Sequence, residues 1–320
     1  MTLGPYEKPI LVIHGGAGPL RRLSSERLKE IERALKYAVD CGFRMLLTGS
    51  AVDGVVEAVK CMEDSGVFNA GKGSVLNIKG CIEMDAGIMD GKSLRAGAVE
   101  QVSGVKNPIA LARLILERTD HVLIVGSFAR DLARAYGLEV VGEEYFEVES
   151  KKERLKRVYE KWAKGEAYQF LTKLKDIISK LGMGVHGTVG AVALDKEGYI
   201  AAACSTGGYW LKLPGRVGDT PIPGAGFYVN RYGGASATGV GEYIMLTSLS
   251  KYAVDLISQG VTALTAAQAA IDYITSLYGR DNAGIITVDY RGYVGYAYNT
   301  EGMSRAIKTK DTTKPIIHPR

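Results

Sequence analysis

Long apolar runs are missing from this 320-residue chain. No stretch reaches the ~18 residues that a membrane-spanning helix needs. The opening MTLGPYEKPILVIHGG carries a short apolar run but neither the basic start nor the small-residue cleavage site of a signal peptide. A cytoplasmic protein with no membrane partner is expected. Cysteine is scarce as well: Cys41, Cys61, Cys81 and Cys204 are the only four. None forms a C-x-x-C pair and no histidine stands at ligand spacing from them. Neither a zinc site nor structural disulfides are expected, and buried free thiols are the default. A strong overall charge is also absent. The net +5 is local, because residues 151–180 carry ten Lys or Arg against four Asp or Glu. That segment lacks the glycine and aromatic pattern of a nucleic-acid module, so no nucleic-acid partner is expected. It reads as a solvated, partly helical linker.

Glycine, by contrast, is abundant at 40 residues and clusters in short runs, which suits close approach of backbone to backbone or ligand. Residues 9–14 read as a buried strand ending in glycines. Residues 24–42 have helical spacing, with Ser24 or Ser25 as cap and Leu28, Ile31, Leu35 and Val39 on one face. A second helix follows at 50–64, then a turn-rich stretch at 65–99 that reads as β-hairpins. Asn107-Pro108 opens a third helix, and 121–125 reads as a strand. After the basic, mobile-looking segment 147–186 come two strands at 187–195 and 198–208, a glycine-rich stretch to Gly241, and helices at about 240–258 and 263–278. The strands GIITVDY and GYVGYAYN close the chain. Antiparallel hairpins in both halves argue against a doubly wound parallel sheet and for two sheets stacked between helical layers.

Gly187-Thr188 stands where these halves meet. A threonine hydroxyl needs a base to act as a nucleophile. At a chain terminus its own α-amine, with a reference pKa of ~7.7–8.0, supplies one. An internal threonine reaches that state only if the bond before it is cut. A preceding glycine permits the strained backbone for attack on its own upstream carbonyl.

Seven runs, one of them containing this pair, stand in order: HGGAG (14–18), FNAGKGSVLN (68–77), EMDAGIMDG (83–91), GTVGAVALD (187–195), STGG (205–208), GRVGD (215–219) and ATGVGE (237–242). Together they resemble the plant-type asparaginases and isoaspartyl peptidases within the N-terminal-nucleophile hydrolases. The resemblance covers nearly the whole chain except about 140–186. It implies an α/β fold, the four-layer αββα sandwich with two mostly antiparallel sheets. It also implies a single domain whose 1–187 and 188–320 parts separate by self-cleavage at Gly187-Thr188, with 147–186 as the variable linker.

Residue roles follow from the same resemblance. Thr188 matches the nucleophile and Thr206 the threonine that orients it. Arg216 matches a clamp for the substrate α-carboxylate, a task suited to a bidentate guanidinium, and Asp219 a receiver of the α-ammonium. Thr238 and Gly239 match the oxyanion hole. Gly241, Asn69, Gly15 and Gly16 resemble residues lining the substrate site. The loop Met62–Lys72 resembles a sodium loop, with backbone carbonyls of Met62, Glu63, Ser65, Phe68, Ala70 and Lys72 as ligands, a sensible donor set for a hard cation. No organic cofactor is implied. A homodimer of cleaved protomers is.

The activity implied is hydrolysis of L-asparagine, of isoaspartyl dipeptides, or of both. Glycosylasparaginases and threonine aspartases share the fold but carry Asp before the nucleophile, and Gly187 favours the asparaginase group. A catalytically inactive ligand-binding relative is the alternative from another class. Nucleotide binding by HGGAG is disfavoured because the Lys-Ser/Thr of a P-loop is absent.

Overall fold

The structure, a computed structural model, describes residues 3–165 and 188–319. Six strands precede the glycine-rich stretch: β1 (Ile10–Gly18), β2 (Met84–Asp90), β3 (Arg95–Val102), β4 (Leu123–Val125), β5 (Val189–Leu194) and β6 (Ile200–Thr206). Six more follow: β7 (Phe227–Val229), β8 (Gly233–Gly239), β9 (Ala283–Asp289), β10 (Val294–Tyr298), β11 (Gly302–Thr309) and β12 (Ile316–His318). Among the described residues the helices are α1 (Ser25–Thr48), α2 (Ala51–Asp64), α3 (Pro108–Arg118), α4 (Ser127–Ala135), α5 (Val148–Ala163), α6 (Gly241–Thr247), α7 (Leu249–Ser258) and α8 (Ala263–Tyr278).

Eight strands form one sheet in the order β12-β11-β1-β5-β6-β2-β3-β4, and four form a second in the order β10-β9-β8-β7. Every pairing is antiparallel except β3 with β4. Helices α1, α2 and α3 cover one face of the large sheet, the small sheet covers the other, and α7 and α8 cover the small sheet's outer face. The expected αββα sandwich of two mostly antiparallel sheets is therefore present. Both parts of the chain share the large sheet, because β1 lies between β11 and β5.

Strands covered on both faces become continuously apolar. All of β5 (VGAVAL) and β6 (IAAACST) is buried. Side chains alternate along them with period two. Val189, Ala191 and Ala193 enter the core under α1–α3. Val192 and Leu194 enter the core between the sheets. On β6, Ala201 and Ala203 face the helices while Ile200, Ala202 and Cys204 face the small sheet. On β8, Ala235 and Ala237 pack toward its helices, which turns Gly234, Ser236 and Thr238 inward.

Three regions differ from the reading above. The segment 147–186 begins with the docked helix α5, whose Val148, Leu155 and Trp162 are buried against the main core. The helix expected at 240–258 is two, broken at Ser248 with φ of 46°. The chain does not close on GYVGYAYN: β11 and β12 follow it, and β11 pairs with β1. Among the described residues no helix is long and apolar enough to cross a membrane.

Candidate active site

The β5–β6 hairpin register sets Val189 opposite Ser205. One step further, Thr188 lies opposite Thr206. Alternation points both side chains toward the small sheet, where Thr238 points back from the end of β8. Three threonines 18 and 50 residues apart in sequence are thus gathered at one end of two stacked sheets. All three are nearly or fully buried. Thr188 Oγ1 donates to Thr206 Oγ1 at 3.0 Å, and Thr206 Oγ1 accepts the Gly208 N–H at 2.9 Å. An accepting hydroxyl next to the Thr188 oxygen fixes the rotamer of the nucleophile candidate.

Glycines let the backbone close in around Thr188. Gly16, with φ of 105°, brings its Cα so near that an added Cβ would sit 3.1 Å from the Thr188 carbonyl oxygen. A Cβ on Gly15 would overlap the Phe68 ring. Gly239, with φ of 146°, lies flat against Asn282. Asn69 ties the turn after β6 in place: its Nδ2 donates to the Gly208 carbonyl at 2.7 Å and its Oδ1 accepts the Val75 N–H at 2.8 Å. Behind Thr188, His14 on β1 and Ser236 on β8 join the sheets through Nε2 and Oγ at 3.2 Å. Burial pushes the His14 pKa down to about 3, so the ring is neutral and structural.

Arg216 and Asp219 occupy the loop beyond β6, against Gly241 at the start of α6. A Cβ on Gly241 would meet Arg216 Nη2 at 2.7 Å and Asp219 Oδ1 at 2.9 Å. Only glycine therefore permits this arrangement. Asp219 is buried and its Oδ2 has no hydrogen-bond partner among the described residues. Burial pushes its pKa up to about 7, against the pull of Arg216. Such a carboxylate is poised for an incoming cation.

Sequence reasoning assigned no role to three neighbours of this clamp. Glu242 takes Arg216 in a bidentate pair, with Nε to Oε1 at 3.0 Å and Nη2 to Oε2 at 2.9 Å. Tyr209 donates from its hydroxyl to the same Glu242 oxygen at 2.9 Å, and the guanidinium lies 4.1 Å from the Tyr209 ring centre. One edge of the Arg216 fork, Nε with Nη2, is thereby taken. Asp85 is the third: it is paired with Thr206 across β2 and β6, is fully buried, and accepts the Gln101 N–H at 2.9 Å. Glu242 stood in the ATGVGE run and Asp85 in EMDAG, so the motifs flagged both. Spacing alone could not say which cation each would meet.

Two spaces open beside Thr188. The one lined by Thr206, Arg216, Asp219 and Gly241 measures about 10 Å³, room for a single water. The other, about 360 Å³, contains Gly15, Gly16, Asn69, Thr188, Thr238 and Gly239. The structure thus brings together Thr188, Thr206, Thr238, Gly239, Arg216, Asp219, Gly241, Asn69, Gly15 and Gly16. Gly187 lies outside the described residues.

The Met62–Lys72 loop leads from α2 to Asn69. Among the described residues no group of three or more His, Cys, Asp or Glu is placed to hold a metal ion, so a metal there would rely on carbonyls. The loop supplies them: Cβ atoms on Gly71 and Gly73 would be crowded by the carbonyl oxygens of Glu63, Gly66 and Phe68. Neutral oxygens on a tight turn fit a hard monovalent cation. Some already have donors, since Ser65 Oγ bonds the Met62 carbonyl at 2.7 Å and Lys151 Nζ bonds that of Lys72 at 2.7 Å. The Glu63 side chain turns away into the core. It accepts from Ser205 Oγ at 2.6 Å and the Ile109 N–H at 3.1 Å, and burial raises its pKa to about 8.

Comparison with known proteins follows the same lines. Residues 7–317 match the family described as Asparaginase. The plant-type L-asparaginase of Pyrobaculum calidifontis is 49% identical over 92% of this chain and 95% of its own. The isoaspartyl peptidase/L-asparaginase of Danio rerio is 42% identical over 93% of this chain and 91% of its own. The isoaspartyl peptidase of Salmonella typhimurium is 41% identical over 93% and 95%. With that match running nearly end to end around the threonine-lined site, the chain belongs to the asparaginase family.

Proposed function

We propose that the protein is a self-processed hydrolase that releases aspartate from L-asparagine and from isoaspartyl dipeptides, with Thr188 as nucleophile. The observation that carries this reading is the Thr188–Thr206 hydroxyl pair set beside a half-buried Arg216 and a buried Asp219 whose Oδ2 has no hydrogen-bond partner among the described residues. A nucleophile next to one fixed cation and one fixed anion suits a substrate end bearing both an α-carboxylate and an α-ammonium.

In processing, Thr188 Oγ adds to the Gly187 carbonyl carbon, the peptide C–N bond breaks, and water hydrolyses the resulting ester. Gly187 is left with a carboxylate and Thr188 with a free amine. In turnover that amine takes the Thr188 hydroxyl proton as Oγ bonds the side-chain carbonyl carbon of the substrate. The developing oxyanion is met by the Thr238 hydroxyl and the Gly239 N–H, fixed donors of the kind that stabilise such charge. The C–N bond then breaks, and the leaving nitrogen takes that proton from the Thr188 amine and departs as ammonia or an amine. Water attacks the acyl ester, its proton passing to the Thr188 amine and on to Oγ as aspartate leaves.

Carbonyls of Met62, Glu63, Ser65, Phe68, Ala70 and Lys72 would hold a structural sodium ion. It would stiffen the loop that carries Asn69. A homodimer of cleaved protomers is also part of the reading, supported by the exposed Leu123, Val125 and Phe128 along the outer edge of the large sheet. The free cysteines Cys41, Cys61, Cys81 and Cys204 support a reducing, cytoplasmic setting.

Aspartate and ammonia assayed together test the function. The parent protein is expected to release both in equal amounts from asparagine, and Thr188→Ala neither. Release by Thr188→Ala, or no release by the parent from asparagine or an isoaspartyl dipeptide, would overturn it.

A further inference from the structure

The row of inward-facing residues at the Thr188 end continues past Thr206. On β2, Met84, Ala86 and Ile88 enter the core under α1–α3. Alternation turns Asp85 toward the small sheet, as it does Thr206, its partner on β6. Thr188, Thr206 and Asp85 therefore stand in line across β5, β6 and β2. On the next strand the register slips. Met84 pairs with Val102 and Ala86 with Val99, which leaves Glu100 and Gln101 of β3 opposite Asp85 alone. Such a bulge re-aims the residues it contains. Gln101 takes a left-handed φ of 53°, uncommon in a residue with a side chain, and its N–H donates to Asp85 Oδ1 at 2.9 Å. Its side chain reaches the loop beyond β6, where Nε2 donates to the carbonyl of Gly215, the residue before Arg216. The start of that loop is held from the same side: the fully buried Lys212 donates from Nζ to the Glu83 carbonyl at 2.6 Å. Asp85 feels all of these groups. Burial pushes its pKa up, while Lys212, the Gln101 N–H, Arg216 and the Gly218 N–H pull it down. Two cations of the loop and the backbone just before Asp219 thus act on one buried carboxylate.

We propose that Asp85 is a positioning residue of the substrate clamp: through Gln101, and through its charge on Lys212 and Arg216, it fixes the loop that presents Arg216 and Asp219 to the charged end of the substrate. The inference rests on the function proposed above and deepens it. Asp85 touches no reacting atom. Its work is done before the substrate arrives, because groups already fixed bind more tightly than groups that must be ordered on binding. The strained Gln101 fits this role, since a left-handed side-chain-bearing residue persists only where its surroundings hold it. Self-cleavage at Thr188 makes no use of the clamp and is independent of Asp85. Asp85→Asn keeps the volume and an oxygen for the Gln101 N–H but removes the charge. The clamp loosens while the threonines stay in place.

The test compares the parent with Asp85→Asn and Gln101→Met in three measurements: self-cleavage on gels, KM and kcat on asparagine, and the Kd of L-aspartate by calorimetry. Aspartate carries both charges that the clamp receives and needs no turnover to be bound. Asp85→Asn should cleave itself like the parent. It should raise KM and the aspartate Kd by about tenfold, the size of effect of one charge-assisted hydrogen bond. Its kcat should stay within about twofold of the parent's, the split that marks lost binding rather than lost chemistry. Gln101→Met, at a half-buried position, keeps the N–H to Asp85 and loses only the tether to Gly215, so it should move KM and Kd the same way by about threefold. An unchanged aspartate Kd in Asp85→Asn would overturn the proposal. So would slower self-cleavage and lower kcat at an unchanged KM, which would make Asp85 a support of the threonines instead. If Asp85→Asn does not fold, Gln101→Met decides, and parental KM and Kd in that variant would overturn the proposal. A parent that hydrolyses no asparagine, with aspartate binding weakened by Asp85→Asn all the same, would sink the underlying function and support the clamp.

Discussion

The two ends of the β5–β6 hairpin treat a buried carboxylate in opposite ways. At the turn, Asp195 accepts three N–H groups: Glu197 at 3.0 Å, Tyr199 at 2.9 Å and Ala51 at 3.1 Å. The last lies at the start of α2, so Asp195 also faces that helix's positive end. At the Thr188 end, Asp219 keeps Oδ2 without a partner among the described residues, and Asp85 and Glu63 each have one such oxygen nearby. The larger cleft, about 530 Å³, is at the Asp195 end. Its charges are answered from within, as where Arg113 pairs with Asp53 and Glu117, each at 2.7 Å. Size alone therefore favours the Asp195 end. Polar groups desolvated without partners point to the end where a ligand completes them.

The largest effect that would sharpen this contrast is at the oxyanion position. Thr238→Val keeps the shape and deletes the hydroxyl, and turnover on asparagine should fall by about 10²–10³-fold, the usual cost of one oxyanion donor. Folding should be little changed. Parent-like turnover would remove Thr238 from the site.

Next comes the pair of carboxylates. Asp219→Asn should lower kcat/KM on asparagine by roughly 10²-fold, because the substrate ammonium loses a buried counter-charge. The same change should stabilise the fold at neutral pH. The folded Asp219 carboxyl has its pKa raised to about 7, against ~3.9 for an unfolded aspartate. Between those values the folded state holds a proton that the unfolded chain has released. Stability therefore falls as pH rises through that window and levels off above it. Denaturant midpoints across pH 5 to 8 should show a shallower decline in Asp219→Asn than in the parent, and identical slopes would contradict the burial of an unpaired charge. Asp195→Asn should do the reverse. It is expected to cost roughly 1–3 kcal/mol of stability, by loss of charge-assisted hydrogen bonds, while turnover stays close to that of the parent.

The sandwich was legible because antiparallel hairpins follow from short-range pattern, whereas the three threonines were picked out by the family resemblance. Apolar β5 and β6 flank a turn, and their register carries Thr188 opposite Thr206. The helix α5 was hidden by its charge, yet Val148, Leu155 and Trp162 recur at seven-residue intervals, a one-face stripe that marks a docked helix. The strand β11 was obscured by Arg305 and Lys308. Both are absorbed by neighbours: Arg305 lies 3.9 Å from the Tyr296 ring centre and Lys308 pairs with Asp40. The pairing of Arg216 with Glu242 and Tyr209 was not readable. Tyr209 and Arg216 share the loop after β6 while Glu242 comes from the first turn of α6, and no local period encodes that meeting.

Intact-mass measurement of the denatured protein, coupled to N-terminal sequencing and an asparagine assay on the same sample, tests the role of Thr188 most directly. Two fragments, 1–187 and 188–320, with threonine at the new terminus and activity rising with the cleaved fraction, are expected. A single uncut chain that hydrolyses asparagine, or a cut that leaves any residue other than Thr188 at the new terminus, would contradict it.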